Sequence, residues 1–161
     1  MEKLYDSETG CCPRFDPVPW TDKEIKFKDK LFLKESITCV FYIPLGFDKI
    51  MVKNAEAIAK AKAVPKEPLM LYDCKGLFGA DLYIHTAKEV PEKEMEKITG
   101  IFLTKVFEGD FKDSGKWAKE MKEYVKKQGK EMKKMYYFYT TCPSCAKYYG
   151  KNYTVILGQI E

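Results

Sequence analysis

Two sets of residues in this chain have side chains and spacing suited to chemistry. The first is aromatic. Tyr137 and Tyr139 alternate along the run Met135-Tyr-Tyr-Phe-Tyr-Thr140, and Tyr83, Phe78, Trp117 and Trp20 recur elsewhere. Aromatic walls offer area and an oriented π-face to a flat ligand. Any one such ring is more often core than binding site. A buried tyrosine must also satisfy its hydroxyl, so several together favour a wet or ligand-holding cavity. These six residues are therefore the candidate cage, with Trp20 as its lid. Tyr137 is also a candidate catalytic hydroxyl, able to protonate a leaving carbonyl or phenolate. Glu108, at a strand end beside Gly109, is the best-placed carboxylate for acid–base work, although the plainer reading is an acid favouring the dipole of the helix that follows. Asp81 shares a strand face with Tyr83 and with His85, the single histidine. A lone strand histidine is more often a hydrogen-bonded residue than a catalyst. No Ser-His-Asp or Cys-His arrangement and no glycine-rich phosphate loop is readable.

The second set is thiols. Cys142-Pro-Ser-Cys145 has the spacing of half a structural zinc site, and Cys11-Cys12 could supply the other half. Such a zinc would pin the N-terminal segment to the last hairpin. Inert thiols and a redox pair are the competing readings, the last weakened because this motif sits in a hairpin loop and not at a helix start. Cys39 and Cys74 read as small buried apolar residues.

The elements that must position these groups follow from periodicity. Three prolines among residues 13–19 make the N-terminal segment stiff and extended, and residues 1–30 are read as an arm docked by Phe15 and Trp20. A strand lies within Leu31–Leu45, best seen at Ile37–Ile43. A helix follows from about Asp48 to Ala63, with an apolar stripe of Ile50, Met51, Ala55 and Ile58. Strands at Leu69–Cys74 and Ala80–Ala87 come next, then a charged linker at Glu89–Lys97. The pattern recurs with a strand at Thr99–Phe107 and a helix from Asp113 or Ser114 to about Gln128, closed by Gly129. The strands Met135–Thr140 and Tyr153–Ile160 end the chain. The order strand, helix, strand, strand thus occurs twice, at roughly 64 residues' spacing, over residues 31–90 and 97–161. The expected fold is a single α+β domain of two such units related by a pseudo-two-fold axis, an antiparallel sheet with two main helices and a ligand cleft between the halves.

Composition bounds the rest. At 161 residues the chain is one domain with a real core, and 45% hydrophobic with 32% charged residues is globular. The net charge is +4 and a single arginine stands among the bases, which argues against a nucleic-acid partner. The polar start and the lack of any apolar run of membrane-spanning length predict a cytoplasmic protein with no membrane partner.

The order of elements, with Thr99-Gly-Ile-Phe-Leu-Thr-Lys-Val-Phe-Glu-Gly-Asp-Phe111, resembles the GyrI-like small-molecule-binding family. Gly109-Asp110-Phe111 stands where that family shows a Gly-Pro-Tyr-like turn, without the proline. Gly76-Leu77-Phe78 is similar to its Gly-Leu-Trp-like turn, with Lys75 in the glutamate position. The resemblance covers about Ile37 to Ile160. It implies a binding site for hydrophobic aromatic small molecules like that of multidrug effector-binding domains, and, through one subfamily, hydrolysis of cyclopropane-bearing electrophiles. The strand that often carries the family's glutamate matches Tyr136-Tyr-Phe-Tyr139, so that acid is missing. Enzyme and simple binder both remain open, and a zinc-stapled, non-enzymatic adaptor is the alternative.

Overall fold

The computed structural model describes residues 15–41, 43–67, 69–140 and 147–161. The chain first makes a 3-10 turn at Val18–Trp20 and then a long strand β1 at Glu24–Val40, which folds back into a two-residue β2 at Ile43–Pro44. Helix α1 at Phe47–Lys60 follows, then β3 at Met70–Cys74, β4 at Gly79–His85 and β5 at Met95–Glu108. A second 3-10 turn at Phe111–Asp113 leads into α2 at Ser114–Lys127, and β6 at Lys134–Tyr139 and β7 at Tyr153–Gln159 complete the fold.

The sheet order is β2-β1-β4-β3-β6-β7-β5, with a further pairing of β1 to β5. Setting aside the β2 edge, this is a closed six-stranded antiparallel barrel. The expectation of an open, pseudo-two-fold sheet carrying two helices is overturned by that closure. The physical reason lies in β1, which starts at Glu24 inside the segment read as an arm and is 17 residues long. Its lysines and acids, interleaved with Phe27 and Phe32, hide the strand from a hydrophobicity pattern. A bulge between Phe27 and Lys30, with Asp29 at φ 48, bends it. The Thr99 hydroxyl accepts the Asp29 N–H at 2.9 Å. Beyond the bend, Phe32 and Leu33 pair with His85 and Ile84 on one side and with Glu96 and Met95 on the other.

Alternation along each strand divides the barrel into lumen and outer wall. Phe32, Leu71, Tyr83, Phe102, Tyr136 and Leu157 pack inside. One end is plugged by Trp20 and Phe15, whose rings meet Phe138 at centroid distances of 5.5 and 6.0 Å. The buried Thr104 hydroxyl fastens that plug by donating to the Trp20 carbonyl at 2.6 Å. Outside, α1 lies over β1, β4 and β3 through Phe47, Ile50 and Met51, and α2 lies over β5 and β7 through Trp117, Met121 and Val125.

Asp113 stands at the N-cap of α2, yet its side chain makes no capping bond; the entry is shaped instead by Asp110, whose carboxylate accepts the Lys112 N–H at 3.0 Å. Past the helix, Gly129 at φ 72 takes the left-handed conformation that ends it, and the Lys130 N–H returns to the Val125 carbonyl at 3.2 Å. Gly158 lets α2 approach β7: a Cβ there would lie 2.9 Å from Met132 Sδ and 3.3 Å from Val125 Cγ2. Gly158→Val therefore overpacks this contact and is expected to cost about 1–3 kcal/mol of stability in urea unfolding.

Candidate functional site

The junction of β3 and β6 is the barrel's thinnest. These strands are paired at one position, Tyr72↔Tyr137, where β6 and β7 share six and β5 and β7 share seven. The helices flank this seam on the outer wall. Because Tyr136 and Phe138 point into the lumen, Tyr137 and Tyr139 stand outside with Tyr72. Tyr137 and Tyr139 stack at 5.8 Å with an interplanar angle of 6°, and Tyr139 meets Tyr72 at 5.6 Å and 63°. Tyr137 belongs to both outer apolar clusters, touching the α1 side and the α2 side together. Its hydroxyl donates to the Ser114 carbonyl at 3.5 Å, a long bond at the start of α2. The Tyr72 hydroxyl lies 3.5 Å from Cys39 Sγ.

Burial pushes the Tyr72, Tyr137 and Tyr139 phenols above their ordinary 10.0, with the nearby thiols adding to the rise. All three hydroxyls are therefore protonated donors at neutral pH. Tyr137 and Tyr139 are half-buried and Tyr72 is buried behind them, so the surface at this seam is aromatic and carries neutral phenols.

Behind it, on the lumen side of the same seam, sits a charged network. The buried Asp73 carboxylate on β3 takes Lys134 Nζ of β6 at 3.2 Å and Lys75 Nζ at 2.8 Å, both on Oδ2. Asp81, directly across from Asp73 in β4, adds Lys75 at 3.8 Å and Lys34 at 4.0 Å, and accepts the Ser36 hydroxyl at 3.2 Å. Lys34 reaches Glu96 at 3.7 Å. Burial alone pulls the Lys134 ammonium down. The Tyr136 hydroxyl that accepts its hydrogen bond and the Asp73 carboxylate outweigh this, so the net is a rise above 10.5. Burial, then the charge of Glu96, raises the Tyr83 phenol, and burial raises Tyr136 against the pull of Lys134.

The sequence candidates are thus divided. Tyr137 and Tyr139 come together at the seam. Tyr83 lies inside the barrel, edge-on to Tyr136 at 5.9 Å. Trp20 packs edge-on against Phe138 on the lumen side. Trp117 is buried in α2, stacked on Phe107 at 5.6 Å. Phe78 is exposed on the β3–β4 turn. Glu108 is exposed at the last position of β5, opposite Tyr153. His85 Nδ1 lies 2.8 Å from the Leu31 carbonyl, and burial holds its pKa below 6.5. Cys11, Cys12, Cys142 and Cys145 lie outside the described residues. Among the described residues no group of three or more His, Cys, Asp or Glu side chains is arranged to hold a metal ion, and Cys39 and Cys74 are free thiols.

Sequence reading missed Tyr72, Asp73 and Lys134. Tyr72-Asp73 sits in the middle of a short strand that reads as filler, and the signal available was a charged residue in an otherwise apolar strand.

Residues 2–160 match the model of a family described as bacterial hydrolase. A search of curated proteins finds no match. No helix among the described residues is long and apolar enough to cross a membrane.

The network is expected to govern stability. Asp73→Asn leaves two ammoniums without their shared carboxylate. With Lys134 and Lys75 about one-third to one-half exposed, the cost is about 1–3 kcal/mol in chemical denaturation, below that of a fully buried pair. The folded pKa of Lys134 lies above the unfolded one, so its contribution is complete below pH 10.5 and lost as pH rises through the folded value. Tyr83 and Tyr136 act with the same sign from 10.0. Stability from these groups should be level from neutral pH to about pH 10 and fall above it, with a shallower fall in Lys134→Met.

Proposed function

Since the chain belongs to the bacterial hydrolase family, we propose that it binds a flat, hydrophobic aromatic small molecule at the tyrosine cluster over the β3–β6 seam and hydrolyses an electrophilic bond in it. The observation that carries this reading is the clustering of Tyr72, Tyr137 and Tyr139 where the barrel is least tightly paired. Tyr139 touches the rings of both Tyr137 and Tyr72, and aromatic faces and edges suit a planar guest. Their hydroxyls stay neutral, so they can donate to a guest's oxygen without the desolvation cost of a charge.

Tyr137 is the group assigned to the chemical step. Water oxygen bonds the electrophilic carbon and the bond from that carbon to its leaving atom breaks. The electron pair of that bond passes by conjugation to a carbonyl oxygen of the substrate, that oxygen takes the phenolic proton of Tyr137, and the proton released by water restores the phenol. Water is consumed and the tyrosine is unchanged. The substrate class that the GyrI-like resemblance implies, an aromatic compound carrying a strained cyclopropane electrophile, suits this scheme, because ring opening places charge on an oxygen that a phenol can stabilise. Glu108 is given no part in it.

The test begins with acridine orange, a planar fluorescent dye. Tyr137→Ala should weaken its binding about tenfold, or about 1.4 kcal/mol, with the melting temperature followed to separate site from fold. Tyr137→Phe should hold dye affinity within about twofold while lowering turnover of a strained aromatic electrophile by about 10²–10⁴. Wild-type turnover should be level up to about pH 10, because Tyr137 remains protonated there. Failure of the wild type to bind the dye, or undiminished turnover in Tyr137→Phe, would overturn the reading.

A further inference from the structure

The outer side of α2 and the turn after it carry the protein's excess charge. Residues 112–133 contain eight lysines and four acids, an excess of four. The net charge of the whole chain is +4, so the other 139 residues balance. All eight lysines are exposed. Trp117, Met121 and Val125 bury the opposite side of the helix against β5 and β7. Helical spacing then turns Lys116, Lys119 and Lys126 away from the barrel. Among the described residues none of the eight enters an ion pair. Glu120 and Glu123 share that exposed side and still reach none of these ammoniums.

This arrangement works against the helix. Past the Asp113 cap its first turn has no acid and holds Lys116, where the positive end of the helix disfavours a cation. Lys122 and Lys126 stand four apart, a spacing at which like charges repel. Helix α1 is built the other way. Its exposed Lys49, Lys53 and Lys60 alternate with Asp48 and Glu56, with Asp48 in the first turn and Lys60 in the last. Solvation alone asks for no imbalance of the α2 kind, and an anionic partner offsets it.

The residue types narrow that partner. Every base in the stretch is lysine, a hydrated point charge on a flexible stem, and the forked arginine that grips individual nucleic-acid phosphates is missing from it. Among the described side chains of the stretch no large apolar one is exposed, so the face lacks the buried anchors around which protein interfaces are built. A charged bilayer surface needs neither. Its headgroups are mobile and answer to charge within a Debye length. We infer that the outer face of α2 docks the protein on the surface of a bilayer containing anionic phospholipid. The contact is peripheral and reversible. The expectation of no membrane partner followed from the lack of a spanning run, and surface docking requires no such run. Each lysine held near the surface contributes up to about fivefold in affinity, reduced here by the four acids.

Co-sedimentation of the full chain with two kinds of vesicle tests this: phosphatidylcholine alone, and phosphatidylcholine with an equal share of phosphatidylglycerol. The wild type should favour the anionic vesicles at least about tenfold at about 0.05 M salt and lose most of that preference at about 0.5 M. Lys116→Gln/Lys119→Gln/Lys126→Gln places glutamine, about as good a helix former, at exposed positions. It should keep the melting temperature and bind the anionic vesicles at least about tenfold more weakly. Lys49→Gln/Lys53→Gln/Lys60→Gln removes the same charge from α1 and should cost at most about twofold. Equal binding to both vesicles, binding indifferent to salt, or equal losses in the two triple variants would overturn the inference. Tighter binding of duplex DNA or of polyglutamate than of the anionic vesicles would reassign the face to that class of partner and overturn it as well.

Discussion

The whole architecture depends on one strand serving two neighbours. β1 pairs with β4 from Phe32↔His85 to Thr38↔Gly79 and with β5 from Glu24↔Leu103 to Leu33↔Met95. A flat strand cannot turn from one partner to the other within its length, and the bulge at Asp29 supplies the bend. Closure then removes the edges that an open sheet would expose, leaving β2, which is two residues long and contains Pro44. It also separates two faces that an open sheet would keep continuous: a lumen filled by rings and aliphatics, and an outer wall covered in part by α1 and α2.

Closing a small barrel concentrates its imperfection at one place. Here that place is the β3–β6 junction, with a single paired position. The seam is held on the lumen side by the Asp73–Lys134 ion pair and on the outside by contacts among Tyr72, Tyr137 and Tyr139. The two sides differ chemically. Inside, carboxylates and ammoniums neutralise each other in a buried setting, where a lone charge would be costly. Outside, uncharged phenols face a half-buried surface. The outer face is thus the one that suits the proposed hydrophobic ligand, while the inner face serves to keep the two halves of the barrel together.

Family membership in the bacterial hydrolases and the tyrosine cluster are independent observations. The family speaks to a class of reaction. The tyrosine cluster speaks to the shape and polarity of the proposed guest. Tyr137, to which the proposed step is assigned, touches both helices' apolar clusters and carries a protonated hydroxyl.

Much of the local structure was legible in the chain. The stripe Ile50, Met51 and Ile58 marks α1, Trp117, Met121 and Val125 mark α2, and alternation in Met135–Thr140 assigns Tyr137 and Tyr139 to one face of β6. These are short-range properties, set by the periods of helix and strand within a dozen residues. Closure of the sheet was not legible, because it depends on a bend at Asp29 and on pairings between residues some 60 to 80 positions apart, as in Glu24↔Leu103. Nor was the division of the aromatic residues. Tyr83 and Tyr137 look alike in the sequence, yet the barrel wall places one within the lumen and the other outside it. Residue type determined that this protein would carry neutral phenols and packed rings. Only the tertiary structure decided which of them share a surface, because a sheet's inside and outside come into being when its last strand finds its partner.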